Sequence, residues 1–166
     1  KLSIVHRDLK PQNILLEEMP NPTHFDRFDV RICDFGLSKD VSDPDSANPA
    51  IMKTQVTATG VILGTADYMA PEQAKSDKNL DQSADIFSWA AVAYQVCTGR
   101  NNLDGNLIQK LASLQSMDQN TVSKNYIPVN DINPEIPQEL AELIDVILST
   151  ANKKERLVNA GLSSQG

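Results

Sequence analysis

Four residues in the first part of the chain carry groups that could do chemistry together: Asp8, Lys10, Asn13 and Asp34. A carboxylate on a loop, such as Asp8, can accept the proton of an attacking hydroxyl. An ammonium two residues further on, at Lys10, can be set against a phosphoryl group. Asp34 and Asn13 offer carboxylate and amide oxygens, the hard donors that Mg²⁺ prefers. Each has a plainer reading as well. An Asp in a turn most often serves as a cap or closes an Asx-turn, so none of the four means much alone. Their neighbours decide.

Asp8, Lys10 and Asn13 lie in His6-Arg7-Asp8-Leu9-Lys10-Pro11-Gln12-Asn13, a full match to the pattern H-R-D-L-x-x-x-N. Asp34-Phe35-Gly36 follows, and then Ala70-Pro71-Glu72. In these motifs and their order the chain resembles the C-terminal lobe of a eukaryotic-type serine/threonine protein kinase, most strongly from His6 to about Gly99. The resemblance implies an α+β, protein-kinase-like fold, with residues 1–166 a partial catalytic domain: the mainly helical C-terminal lobe, its activation segment at 34–72. It implies phosphoryl transfer from ATP, with Mg²⁺, to Ser/Thr hydroxyls of a protein substrate. Asp8 would be the base, Lys10 would touch ATP and the moving phosphoryl group, and Asn13 and Asp34 would hold Mg²⁺. Lys10 is a mark of the serine/threonine type. Thr65 matches the threonine that such kinases hold against the catalytic loop. Thr57 and Thr59, by their offset before Gly64, resemble the activation-segment phosphosites of bacterial-type relatives, and Arg7 with Lys39 would receive the phosphate.

Other matched positions read as scaffold. His6 is expected to be a buried hydrogen-bonding residue, and Asp85 to hold the backbone of the catalytic loop. Glu72 is expected to pair with Arg156, a buried pair that costs roughly 3–5 kcal/mol to break on one side. Gly36 allows the bend that aims Asp34. Cys33, Phe87 and Trp89 read as core.

The elements that must position these residues follow from the apolar pattern. Ile14-Leu15-Leu16 and Val30-Arg31-Ile32-Cys33 read as short strands, with Glu17 to Asp29 as the connecting loop. Ser38 to Gln55 is polar and has little to bury. A helix over Asp85 to Cys97 is apolar on most sides, as expected of one buried all round, and Gly99 stops it. A second helix carries Leu103, Leu107, Ile108, Leu111 and Leu114. A third starts at Pro137 and places Leu140, Leu143, Ile144, Ile147 and Leu148 on one stripe.

Composition narrows the partners. With 15 Lys and Arg against 22 Asp and Glu, the formal charge of −7 argues against nucleic-acid binding through a basic face. No apolar run approaches the ~20 residues that span a bilayer, so no membrane partner is expected and the expected location is cytoplasmic. Two cysteines, Cys33 and Cys97, cannot build a disulfide framework. The seven glycines form no G-x-G, and no V-A-I-K-like lysine occurs. The expectation is therefore a partial catalytic domain, either a fragment of a longer polypeptide or a truncated gene model, with the N-terminal lobe missing and no activity by itself. The competing reading is a kinase-like lobe that does no catalysis and serves as a binding or regulatory module.

Overall fold

The computed structural model describes residues 4–20, 27–35, 39–40, 65–117 and 126–162. Strands come first and helices after, as the apolar pattern implies. Strand β1 (Ile4–Val5) pairs antiparallel with β4 (Lys39–Asp40), and β2 (Ile14–Glu18) with β3 (Phe28–Ile32). Among the described residues six α-helices follow: α1 (Pro71–Ala74), α2 (Gln82–Thr98), α3 (Leu107–Ser116), α4 (Val129–Ile132), α5 (Gln138–Ser149) and α6 (Lys153–Asn159). Among the described residues, no helix is long and apolar enough to cross a membrane.

The core is built around α2. Asp81 caps it by accepting a hydrogen bond from the Ser83 amide at 2.9 Å, which is why the helix starts ahead of Asp85. Gly99 closes it at φ +69°, a left-handed turn that glycine adopts without steric cost. Ala84, Ala90 and Ala91 are buried and keep the helix surface thin. Phe87, Val92 and Tyr94 pack with Ala141, Ile144, Ile147 and Leu148 of α5. Each large apolar side chain fully buried there contributes roughly 1.5–3 kcal/mol. The expectation of burial on all sides is corrected: Trp89 is 39% exposed and Val96 79% exposed.

Two other helix boundaries differ from the apolar pattern. Leu103 is buried but precedes α3. That helix begins after Asn106, which caps the Gln109 amide at 3.1 Å while the Gln109 side chain accepts the Asn106 amide at 2.8 Å. Pro137 is the N-cap of α5 rather than its first turn, and Leu140 lies toward solvent.

The β2–β3 hairpin is longer than expected, because Glu17, Glu18, Phe28 and Asp29 join the ladder. Alternation along the paired strands puts Ile14, Ile32, Leu16 and Val30 on one face. Leu15, Arg31, Glu17 and Asp29 share the other, where Arg31 reaches Glu17 at 2.8 Å and Asp29 at 3.0 Å. The apolar face is open: Leu16 is 62% and Val30 59% exposed. Cys33, expected in the core, is only half-buried just past β3.

Candidate active site

The loop from His6 to Asn13 joins β1 to β2, and its shape is held from outside it. The Asp85 carboxylate, at the start of α2, accepts the His6 amide at 2.7 Å and the Arg7 amide at 2.8 Å. His6 is buried; its Nε2 lies 3.0 Å from the Cys33 carbonyl, and its Nδ1 accepts the Asp8 amide at 3.3 Å. Both residues therefore do the scaffold work expected of them. Arg7 takes φ +69°, a left-handed conformation unfavourable for a side-chain-bearing residue, so the surrounding bonds must hold it.

On this frame the expected site residues come together. Lys10 Nζ lies 2.7 Å from Asp8 Oδ2. Asn13, buried in the turn Pro11–Asn13, donates its Nδ2 to the Asp8 carbonyl at 2.8 Å and to Asp8 Oδ2 at 3.3 Å. One carboxylate oxygen thus takes both an ammonium and an amide donor, which fixes the Asp8 side chain. Committing Nδ2 to Asp8 turns Asn13 Oδ1 to the opposite side of its amide, an oxygen of the kind Mg²⁺ binds.

The hairpin brings in the second carboxylate. The Cys33 amide donates to the Asn13 carbonyl at 2.9 Å, so Asp34 follows one residue after the chain meets Asn13. Asp34 is exposed with φ +62°, a left-handed residue between the strand and the next segment. The Phe35 ring packs against His6, centroids 4.8 Å apart and tilted by 60°. Asp34 and Asn13 supply carboxylate and amide oxygens, the donor type that a hard divalent cation prefers. Among the described residues, no cluster of three or more His, Cys, Asp or Glu forms a separate metal site.

Arg7 differs from its neighbours. Among the described residues its Nε is buried without a hydrogen-bond partner, and burial lowers its pKa while the Asp85 charge opposes that shift. Lys39 sits in β4 and Thr65 opens the short turn Thr65–Asp67; their side chains lie outside the description. Thr57, Thr59 and Gly36 lie outside the described residues.

The segment that follows Thr65 is stapled to the helices. Ser88 Oγ donates to the Tyr68 carbonyl at 2.7 Å, and the Tyr68 hydroxyl to Gln95 Oε1 at 2.6 Å. Asp67 pairs with Lys110 of α3, both largely shielded from solvent. Glu72 and Arg156 form the expected buried bidentate pair, at 2.8 and 3.1 Å. The motif reading passed over Ser88, Gln95 and Lys110, whose partners are distant in sequence. It also passed over Gln73, which lies three residues after the α1 cap, the spacing of a capping box.

A protein with this hairpin, this loop and this buried Glu–Arg pair is of the protein kinase class. The profile of the protein kinase domain matches residues 1–162, and the chain belongs to that family. Its relatives are serine/threonine-protein kinases. PknL of Mycobacterium tuberculosis is 36% identical over 112 residues, covering 68% of this chain and 23% of the relative. PrkC of Bacillus subtilis is 30% identical over 141 residues, covering 85% of this chain and 18% of the relative. Pkn3 of Myxococcus xanthus is 38% identical over 96 residues, 58% of this chain and 16% of the relative. The chain spans less than a quarter of the length of these relatives.

Proposed function

We propose that residues 1–166 are the C-terminal lobe of a serine/threonine protein kinase, with its activation segment at 34–72. In this reading, Asp8 accepts the proton of a substrate Ser or Thr hydroxyl as that oxygen attacks phosphorus. The observation that carries the reading is the convergence on Asp8: Lys10 Nζ at 2.7 Å and Asn13 Nδ2 at 3.3 Å on one oxygen, which holds the carboxylate in one orientation. Lys10, held by Asp8, presents its ammonium to the transferred group of ATP. Asn13 and Asp34 would hold Mg²⁺, which supplies charge neutralisation on the phosphates when bound. Thr65 would position the substrate side of the loop.

The unmet Arg7 Nε supports a regulatory phosphate. A phosphothreonine at 57 or 59 carries acceptor oxygens that match a guanidinium, and Lys39 would add a second cation. The open apolar face of the hairpin, Leu16 and Val30 above all, supports a second lobe that covers it in the longer kinase. These 166 residues carry no G-x-G loop and no V-A-I-K-like lysine, so by themselves they would not be expected to transfer phosphate.

Asp8→Asn in the full-length kinase tests the assignment. Phosphate transfer from radiolabelled ATP to casein is expected to fall by at least about 10²-fold with ATP binding retained. Full transfer by that variant would end the role of Asp8. An inactive wild-type kinase would instead favour the non-catalytic, partner-binding reading. Transfer by the purified 166-residue chain would overturn the view that this lobe is not self-sufficient.

A further inference from the structure

We propose that Gln73 is a positioning residue for the catalytic loop, holding the peptide that precedes Asp8 through the Arg7 carbonyl. The inference rests on the kinase reading above and adds to it a residue that none of the motif letters contains. Gln73 is buried in α1, and its two amide atoms face different parts of the chain. Oε1 accepts the Ala70 amide at 3.0 Å. Nε2 donates to the Arg7 carbonyl at 2.8 Å, across 66 residues of sequence. The Arg7 carbonyl belongs to the peptide that joins Arg7 to Asp8.

That peptide has a particular need of support. Arg7 is left-handed at φ +69°, a state that persists in a non-glycine residue only when its surroundings over-determine it. Asp85 takes the amides of His6 and Arg7 on one side of the residue. Gln73 takes the carbonyl on the other. Together the three bonds fix both peptide planes around Arg7, and so the direction in which Asp8 leaves the backbone. Without the Gln73 bond, the Arg7–Asp8 peptide is free to rotate toward a relaxed conformation, and the Asp8 carboxylate turns with it.

Only a side chain that donates and accepts at once can do this. A carboxylate accepts from Ala70 but presents negative charge to the Arg7 carbonyl, and an apolar side chain does neither. Because Ala70 closes the Thr65–Ala70 segment, the same amide also ties the substrate side of the site to the catalytic loop. A displacement of one is carried to the other through a single buried group.

The test uses the full-length kinase as wild type, Q73E and Q73M, with kcat and KM for ATP at about pH 8 and about pH 6 and casein as acceptor. At about pH 8, Q73E is expected to lose about tenfold or more in kcat with KM for ATP within about twofold, the pattern of a misdirected base rather than a lost binding contact. Burial raises the pKa of the new carboxyl, so acid protonates it and gives it an O–H that can donate to the Arg7 carbonyl. The deficit of Q73E relative to wild type is therefore expected to shrink at about pH 6, while that of Q73M, which has no such proton, is expected to stay constant. Wild-type kcat in Q73E, or a Q73E deficit identical at both pH values, overturns the proposal. If Q73E does not fold, Q73M decides: a lowered kcat at an unchanged thermal midpoint supports the bridge, and an unchanged kcat overturns it. Failure of both variants to fold assigns Gln73 to the scaffold alone and also overturns it. A wild-type kinase that transfers no phosphate overturns the kinase reading itself, a result distinct from active wild type with an unaffected Q73E.

Discussion

Two guanidinium groups in this chain sit in opposite circumstances. Arg156, in α6, is fully buried, and every N–H it has is used. Nη1 donates to Glu72 Oε1 at 2.8 Å and to the Ser83 carbonyl at 2.9 Å. Nη2 donates to Glu72 Oε2 at 3.1 Å and to the Ala151 carbonyl at 3.2 Å. Nε donates to the Thr150 carbonyl at 3.1 Å, and the group lies 5.1 Å from the Phe87 ring. Arg7, in the loop from His6 to Asn13, keeps a buried Nε with no partner among the described residues. Five of five donors engaged describes a group whose work is finished when the chain folds. A buried donor left unmet costs stability, about 1–3 kcal/mol, and marks a group that gains by meeting a ligand. The two differ in burial as well, Arg156 being fully buried and Arg7 only partly so, yet it is the unmet donor that leaves Arg7 with bonding capacity to spare.

Breaking the saturated arginine is expected to do the most damage. Arg156→Met in the full-length kinase leaves the Glu72 carboxylate buried and uncompensated, together with the Ser83, Thr150 and Ala151 carbonyls. A loss of about 3–5 kcal/mol is expected, read as a drop in the urea midpoint at unchanged slope. Replacing both partners with apolar residues, Arg156→Met with Glu72→Leu, removes the stranded charge and is expected to recover most of that loss. A single variant within about 1 kcal/mol of wild type would show that the pair is not the keystone its bonding suggests.

How much of this was legible in the sequence differs between the two sites. The Glu72–Arg156 pair, the His6 scaffold and the Asp85 anchor could all be read from motif letters, and the bonds to each are present. The gathering of Lys10 and Asn13 on Asp8 was legible too, since all three lie within one short loop. Trp89 is more open than the apolar pattern implies, because a helix apolar on most sides does not say which side chain falls at a partly covered edge. The hairpin was drawn too short because Glu17, Glu18 and Asp29 are poor strand formers, and the cross-strand ladder with Arg31 overrides that preference. Gln73, Ser88 and Lys110 stayed hidden for one reason. Each meets a partner 20 or more residues away, and no local pattern encodes a contact at that range.

The unsaturated arginine is expected to respond differently. Arg7→Met removes an unmet buried donor, which favours folding, and the attraction of the Arg7 charge to Asp85, which opposes it, so the net change in stability should be smaller than that of Arg156→Met. The effect should fall on regulation. If Arg7 receives a phosphate from Thr57 or Thr59, the activity ratio between the phosphorylated kinase and its phosphatase-treated form should collapse from about tenfold to about one in the variant. Mass spectrometry of the two forms fixes which threonine carries the phosphate. A variant that keeps the wild-type ratio would detach Arg7 from the phosphate, and the unmet Nε would then need another explanation.

A third cationic group extends the comparison to a half-exposed setting, where the smallest effect belongs. Lys153, three residues before Arg156, reaches Asp77 Oδ2 at 2.9 Å and the Asn79 carbonyl at 2.7 Å. The bond from Lys153, helped by the Asn79 amide, holds the Asp77 carboxyl below its ordinary range, with burial opposing. A carboxyl depressed in the folded state contributes stability above its ordinary pKa, near 3.8, and loses it as pH falls through the lower folded value. Both side chains are partly in solvent, which screens the pair to well under about 1 kcal/mol. Asp77→Asn should therefore lower the urea midpoint slightly at about pH 7, less in half-molar salt, with no difference from wild type once acid has protonated the native carboxyl. A gap that widens on acidification would contradict the sign. A gap as large as that of Arg156→Met would mean that saturation matters less than the mere presence of a partner.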